Sequence, residues 1–133
     1  MGSASSEEVR RYIGGIFETA FTDEEMRTKL VDTGLVLRFS FSDPDTDIVI
    51  DLGAAQVLPE GTEVAPAATM VMTAETGNAY WQGKVNLPLA MAKRKIKVDG
   101  NISGLLKLAP LAKKLYPVYV ETLRQDGRDD LVA

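Results

Sequence analysis

Residues 83–116 read Gly83-Lys84-Val85-Asn86-Leu87-Pro88-Leu89-Ala90-Met91-Ala92, then Lys93-Arg94-Lys95-Ile96-Lys97-Val98-Asp99-Gly100-Asn101. Ile102-Ser103-Gly104-Leu105-Leu106-Lys107-Leu108-Ala109-Pro110-Leu111-Ala112-Lys113-Lys114-Leu115-Tyr116 follows. Leu87–Ala92 predicts a short helix, with Pro88 tolerated in its first turn. In Lys93–Asp99, Ile96 and Val98 alternate with Lys95 and Lys97, the pattern of a strand with one buried face. Asp99-Gly100 marks a turn. Ile102, Leu105, Leu106, Leu108, Ala109, Ala112 and Leu115 then give a helix with a wide apolar face, which Pro110 kinks or splits. Apolar surface beneath a basic cover, with no nucleophile, metal cage or phosphate loop inside it, points to binding rather than catalysis.

Composition narrows the chemistry further. The chain has 133 residues, suggesting one domain with a proper core. That core is expected over about residues 7–125, with polar tails at 1–6 and 126–133. There is no His and no Cys. Ser-His-Asp and Cys-His nucleophilic machinery, thiolate–zinc sites and disulfides are therefore excluded. The net charge is −4, yet eight of the fifteen basic residues fall at Lys84, Lys93, Arg94, Lys95, Lys97, Lys107, Lys113 and Lys114, against one acid, Asp99. Such a run reads as a solvated face, or as a contact for an anionic membrane or acidic partner. Nucleic acid is disfavoured, because no aromatic residues interleave with the basic ones. No apolar run approaches the ~20 residues that span a bilayer. The Met1-Gly2-Ser3-Ala4-Ser5-Ser6 start fits a loose myristoylation pattern, but is read as a polar leader. A cytoplasmic location is expected.

The remaining elements follow from periodicity. Val9, Tyr12, Ile13, Ile16, Phe17, Ala20 and Phe21 form an i, i+3, i+4 stripe over residues 7–21, with Ser5 and Glu8 at capping-box spacing. Gly14-Gly15 inside it suggests close packing against a neighbour. A second helix is expected to start at Thr22 and Glu25 and to stop at Gly34. From Leu35 the period becomes two: Leu35, Leu37, Phe39 and Phe41 face one way, and Ile48, Ile50 and Leu52 continue as the partner strand. Asp43, Asp45 and Asp47 suggest the opening of a calcium loop, but Ile48 and Ala54 stand where Gly and Glu are needed. A polar hairpin turn is the better reading. Gln56–Leu58 completes a meander, and Ala68–Ala74 gives another strand. Glu75–Gln82 reads as a helical turn bearing Tyr80 and Trp81. Gly77 with Gly83-Lys84 is rejected as a phosphate loop, since five residues fill the gap and Val85 replaces the magnesium-binding hydroxyl.

Taken in order, the alternating strand, the aromatic turn, Gly83-Lys84-Val85-Asn86-Leu87, Lys95-Ile96-Lys97-Val98-Asp99-Gly100-Asn101 and Leu105-Leu106-Lys107-Leu108 resemble the sterol carrier protein 2 family. The resemblance extends over about residues 9–125. It implies a single-layer α/β (α+β) fold: a five-stranded mixed sheet, helices covering one face, and an apolar tunnel between. It further implies non-enzymatic binding, and transfer, of a fatty acid, fatty acyl-CoA, sterol or phospholipid, with no cofactor and no metal. By matching position, Phe39, Phe41, Ile50, Met70, Met72, Tyr80, Trp81, Leu89, Met91, Leu105, Leu106, Leu108 and Leu115 are the ligand-lining candidates. Each is equally well explained as plain core. The chain ends Leu131-Val132-Ala133 rather than in a Ser-Lys-Leu-like peroxisomal signal, so it is more similar to bacterial-type stand-alone members. Expected partners are a lipid, transient anionic membrane contact through Lys93, Arg94, Lys95 and Lys97, and a second copy at most weakly. The alternative is an accessory or dimerisation domain that turns the same apolar surface to a protein partner.

Overall fold

The period-two segments become the frame of the molecule. A computed structural model describes residues 5–132. The leader residues 1–4, with the myristoylation pattern they begin, lie outside the described residues. Helix α1 spans Ser6–Thr22 and α2 spans Glu24–Thr33. Strands β1 (Val36–Ser42), β2 (Thr46–Asp51) and β3 (Gln56–Val57) form an antiparallel meander. Strand β4 (Ala68–Thr73) then returns parallel to β1, and β5 (Lys97–Gly100) lies antiparallel against β4. The mixed five-stranded order is therefore β3-β2-β1-β4-β5. Helices α3 (Ala74–Tyr80) and α4 (Leu87–Ala92) connect β4 to β5. Three further helices, α5 (Ile102–Lys107), α6 (Ala109–Lys113) and α7 (Tyr116–Gln125), close the chain.

Alternation decides which face is covered. Leu37, Phe39 and Phe41 of β1 are buried together with Ile48 and Ile50 of β2 and Met70 and Met72 of β4. Their neighbours along each strand are half-buried or exposed. Helix α1 packs against β2 and β3, and α3 against β4 and β1. The calcium-like aspartates form the β1–β2 turn, where Asp47 pairs with Arg38 at 2.6 Å. This is the polar hairpin read from sequence.

Helix ends follow the capping chemistry, with one shift. Ser5 Oγ accepts from the Glu8 amide at 3.2 Å while the Glu8 carboxylate accepts from the Ser5 amide at 3.1 Å, a complete capping box. The cap of α2 is Asp23, not Thr22: its carboxylate accepts from the Met26 amide at 3.0 Å. The Thr22 hydroxyl instead donates back to the Thr19 carbonyl at 2.6 Å. Gly14 faces Val57 at ordinary contact distance and Gly15 faces nothing, so crowding does not require the pair to be glycine.

Two expectations are corrected, at the last strand and at the C-terminal segment, while Pro110 splits its helix as expected. The last strand begins at Lys97, because Lys93–Lys95 turn out of α4 with Arg94 at a positive φ of 61°. The helix expected over 102–115 divides before Pro110, which occupies the first turn of α6, and Pro117 occupies the first turn of α7. The segment after Asp126, read as a loose polar tail, is docked. Leu131 is buried, and its carbonyl accepts from Asn78 Nδ2 at 2.8 Å and Gln82 Nε2 at 2.9 Å. Arg128 pairs with Asp130 at 3.0 Å and also with Glu8 on α1.

Asn78 is the centre of that docking, since its Oδ1 also accepts from the buried Tyr119 hydroxyl at 2.6 Å. Asn78→Ala removes both bonds and leaves the phenol unpaired. We expect a loss of about 1–3 kcal/mol in urea denaturation. Tyr119→Phe, which leaves the Asn78 bond to the Leu131 carbonyl in place, should lose less. Equal losses for the two variants would assign the effect to the Tyr119 bond alone.

Candidate functional site

The side chains that meet above β1 and β4 belong to three layers. From the sheet come Leu37, Phe39 and Met70; from the N-terminal helices, Phe17 and Leu30. Tyr80 and Trp81 enter from the end of α3, which starts at a Thr73 cap bonded to the Thr76 amide at 3.1 Å. Leu105, Leu108, Ala109, Ala112 and Leu115 of the α5–α6 segment close the space from outside. They enclose an apolar cavity of about 30 Å³.

Trp81 is the hub of this lining. Its ring lies 5.4 Å from Phe17, 5.3 Å from Tyr80, 6.1 Å from Phe39 and 6.2 Å from Tyr116, each edge to face. Such pairs contribute about 0.5–1.5 kcal/mol each beyond area burial. Burial, and secondarily the Tyr116 hydroxyl beside it, pushes the Tyr80 phenol far above its ordinary range. The lining is apolar and hostile to negative charge.

Size is the next constraint. Ligand pockets usually begin near ~300 Å³, about ten times the space enclosed here. Holding ~300 Å³ open and dry would cost about 7 kcal/mol at ~24 cal/mol per Å³. That is comparable with the whole stability of an ordinary domain. A long ligand therefore enters only if the apolar surfaces on the two sides of the seam separate.

The closing segment is attached differently from the rest. Among the described residues, no side-chain hydrogen bond or ion pair joins α5 or α6 to another element; the side-chain bond there is the local Asn101 cap of α5, accepting from Gly104 at 2.8 Å. Helix α6 has no side-chain cap. Leu105, Leu108 and Leu115 hold the segment down by apolar contact, while Ile102 and Leu106 face solvent.

The sequence-derived candidates therefore separate. Phe39, Met70, Tyr80, Trp81, Leu105, Leu108 and Leu115 meet at the cavity. Phe41 and Met72, two residues further along β1 and β4, are buried outside it, with Phe41 under α3 where Gly77 leaves room for its ring. Ile50 is fully buried on β2, the strand that α1 covers. Met91 is half-buried on α4. Leu89 and Leu106 point outward, 51% and 46% exposed. Sequence reasoning missed Phe17, Leu30, Leu37, Ala109 and Ala112 as lining. Phe17 and Leu37 carried the correct facing in their periodic stripes, but nothing in those stripes marked a cavity.

A second groove carries charged groups that are paired within the protein. In the groove under residues 59–65, Arg10 donates to the Asp47 carbonyl at 2.8 Å and to the Leu58 carbonyl, and Arg38 is held by Asp47. The basic run is on the surface: Lys93, Arg94, Lys95 and Lys97 are all exposed. Among the described residues, no helix is long and apolar enough to cross a membrane.

A family model described as the SCP-2 sterol transfer family matches residues 16–113. No curated protein matches the chain. Among solved structures, the sterol carrier protein domain 2 of Helicoverpa armigera is 26% identical, with a TM-score of 0.67 over 87% of this chain and 96% of that one. The apo sterol carrier protein 2 of Yarrowia lipolytica is 13% identical, with a TM-score of 0.64 over 78% and 89%. The Aedes aegypti sterol carrier protein 2, solved in complex with palmitate, is 24% identical, with a TM-score of 0.58 over 84% and 96%. The mixed sheet with its helices is their shared fold.

Proposed function

We propose that this chain, which belongs to the SCP-2 sterol transfer family, binds a long apolar ligand between its sheet and the α5–α6 segment without reacting with it. The observation that carries the reading is the construction of the site: an apolar seam closed by two short helices that only apolar contacts hold in place. Lifting that segment breaks no directional bond to the frame. An entering chain replaces the contacts it displaces. Burial contributes about 0.8 kcal/mol per CH₂, so a sixteen-carbon tail supplies on the order of 10 kcal/mol gross, before ordering costs. The palmitate complex of the similarly folded Aedes aegypti protein supports a lipid as occupant. Fatty acid, fatty acyl-CoA, sterol and phospholipid are the classes to be tried.

Native mass spectrometry of the purified chain, followed by lipid extraction, tests this directly. Trp81 is the only tryptophan, so bound lipid should change its emission saturably. A ligand at ~100 times its Kd should add about 2.7 kcal/mol of stability. If no lipid class is extracted, shifts the emission or raises the melting temperature, the reading fails. A concentration-dependent dimer without lipid would then favour the accessory-domain alternative.

For delivery, we propose transient docking on anionic membranes through the turn after α4. Leu89 and Lys93 are one helical turn apart, with the Lys93 amide donating to the Leu89 carbonyl at 2.9 Å, so they share a face. An exposed leucine beside Lys93, Arg94 and Lys95 offers an apolar anchor and a charge for acidic headgroups. Near an anionic surface each cation contributes about 1 kcal/mol. Flotation with phosphatidylcholine/phosphatidylglycerol vesicles should therefore show at least tenfold weaker binding for K93E/R94E/K95E. Leu89→Asp should weaken it too. Equal flotation of wild type on pure phosphatidylcholine would remove the electrostatic part of this proposal.

A further inference from the structure

The basic run holds a single acid, and the two signs meet on the last strand. Among residues 84–114 that acid is Asp99, two positions from Lys97. Both belong to β5, the edge of the sheet beyond β4. The opposite edge, β3, is two residues long, whereas β5 has four, and Lys97, Asp99 and Gly100 are exposed. An open edge is a row of unpaired backbone groups, and lysines on it usually keep other strands away. A carboxylate beside the lysine changes what the edge repels and what it accepts.

The ladder shows which backbone groups are free. Just past the Ala68–Gly100 pair, the Ala67 carbonyl accepts from the Asn101 amide at 2.8 Å. Bonding alternates along an antiparallel ladder. Asp99 and Lys97 therefore turn their backbone groups toward Thr69 and Val71, and Val98 turns its own outward. Among the described residues, no backbone group outside the sheet bonds to Val98. The side chains divide the other way. Val98 packs against the core, while Lys97 and Asp99 project from the opposite face, 73% and 59% exposed, with 3.8 Å between their charged atoms.

We propose that β5 pairs with the β5 of a second copy, antiparallel and centred on Val98, so that one sheet runs through both molecules. In that register the two Val98 residues exchange both backbone hydrogen bonds, and Lys97 of each copy lies opposite Asp99 of the other. Two-fold symmetry makes the charged pair twice. Centring on Lys97 or on Asp99 would oppose identical charges, and so would a parallel arrangement in direct register. The antiparallel register also keeps the basic turns apart. Lys95 lies three residues before Val98, so the two copies of it are separated by on the order of 20 Å, beyond the ~8 Å screening length of physiological salt. So short a ladder makes a weak, reversible pair and not an obligate dimer. It lies outside the cavity lining and does not depend on the apolar-ligand reading. Because β5 leads through Asn101 into α5, pairing would steady the strand from which the cover starts.

Sedimentation equilibrium from micromolar to millimolar protein measures the association, and amide exchange on the ¹⁵N-labelled chain locates it. The Val98 amide should exchange more slowly as concentration rises, while the Lys97 and Asp99 amides, bonded to β4, are protected throughout. Lys97→Glu and Asp99→Lys each set like charges opposite one another at both pairs, and each should weaken self-association about tenfold. K97E/D99K exchanges the two charges and should recover wild-type association. An equimolar mixture of K97E and D99K should associate as wild type does, because unlike charges again meet at both pairs. Both positions are exposed, so these variants leave the core intact. A chain that stays monomeric at millimolar concentration, or a Val98 amide whose exchange ignores concentration, overturns the proposal. So does a dimer that K97E leaves unchanged, or one that K97E/D99K does not recover. Lipid extraction is a separate readout, and loss of the dimer leaves the apolar-ligand reading standing.

Discussion

Gly100→Ala is expected to lower the unfolding free energy by about 3–5 kcal/mol, combining backbone strain with overpacking against main chain. Gly100 has a φ of 92°, in the region that L side chains avoid, and pairs with Ala68 across the β4–β5 ladder. A Cβ there would overlap the Ala67 carbonyl oxygen and come within 3.1 Å of the Ala67 carbonyl carbon and the Ala68 Cα. Neither is the movable end of a side chain. The same carbonyl accepts from the Asn101 amide at 2.8 Å, the bond that sets the start of α5. The damage should therefore reach the closing segment as well as the edge strand. Urea denaturation measures it, with Gly61→Ala as the control. Gly61 also has a positive φ, of 82°, but faces open space. A loss at Gly100 no larger than at Gly61 would show that β5 shifts to absorb the methyl group.

Phe39→Ala should cost a similar amount without ligand, about 3–5 kcal/mol, and distinctly less with it. The Phe39 ring sits on the cavity floor, 5.9 Å from Phe17 and 6.1 Å from Trp81, and stacks on Phe41 at 6.3 Å. Truncation leaves a hole that the frame cannot fill and a flexible acyl chain can. The ligand-induced rise in melting temperature should therefore be larger for this variant than for wild type. Ile50→Ala gives the contrast, since it removes a fully buried side chain from the same sheet face outside the cavity. It should be destabilised by about 2–5 kcal/mol, with an unchanged ligand response. Matching responses in the two variants would mean that lipid does not reach Phe39.

This contrast also marks how far the sequence could be read. The faces of β1, β2, β4 and α1 were legible because period two and period 3.6 persist over six or more residues in each. The cavity was not, because periodicity assigns a face and gives no depth along it. Phe39 and Met70 form one rung of β1 and β4, and Phe41 and Met72 the next but one. All four alternate identically, yet only the first pair lies at the opening, some 7 Å along the strand from the second. Leu89 and Leu106 were misplaced for another reason. Helices of six residues make too few turns to define an inner face, and both leucines ended outside. The docked C-terminus depends on Leu131, with Val132 packed against the core beside it, following a run of charges, and on side-chain amides about fifty residues earlier.

The attachment of α5 and α6 by apolar contact alone has a consequence for how such a carrier can diversify. Strand ladders, caps and the Asn78 anchor hold the frame; buried leucines hold the cover. Exchanging Leu105, Leu108 or Leu115 for other apolar shapes alters which molecules fit and how long they stay, and leaves the architecture standing. Two properties that compete in many proteins, persistence of the fold and freedom to change cargo, are here assigned to different stretches of one short chain.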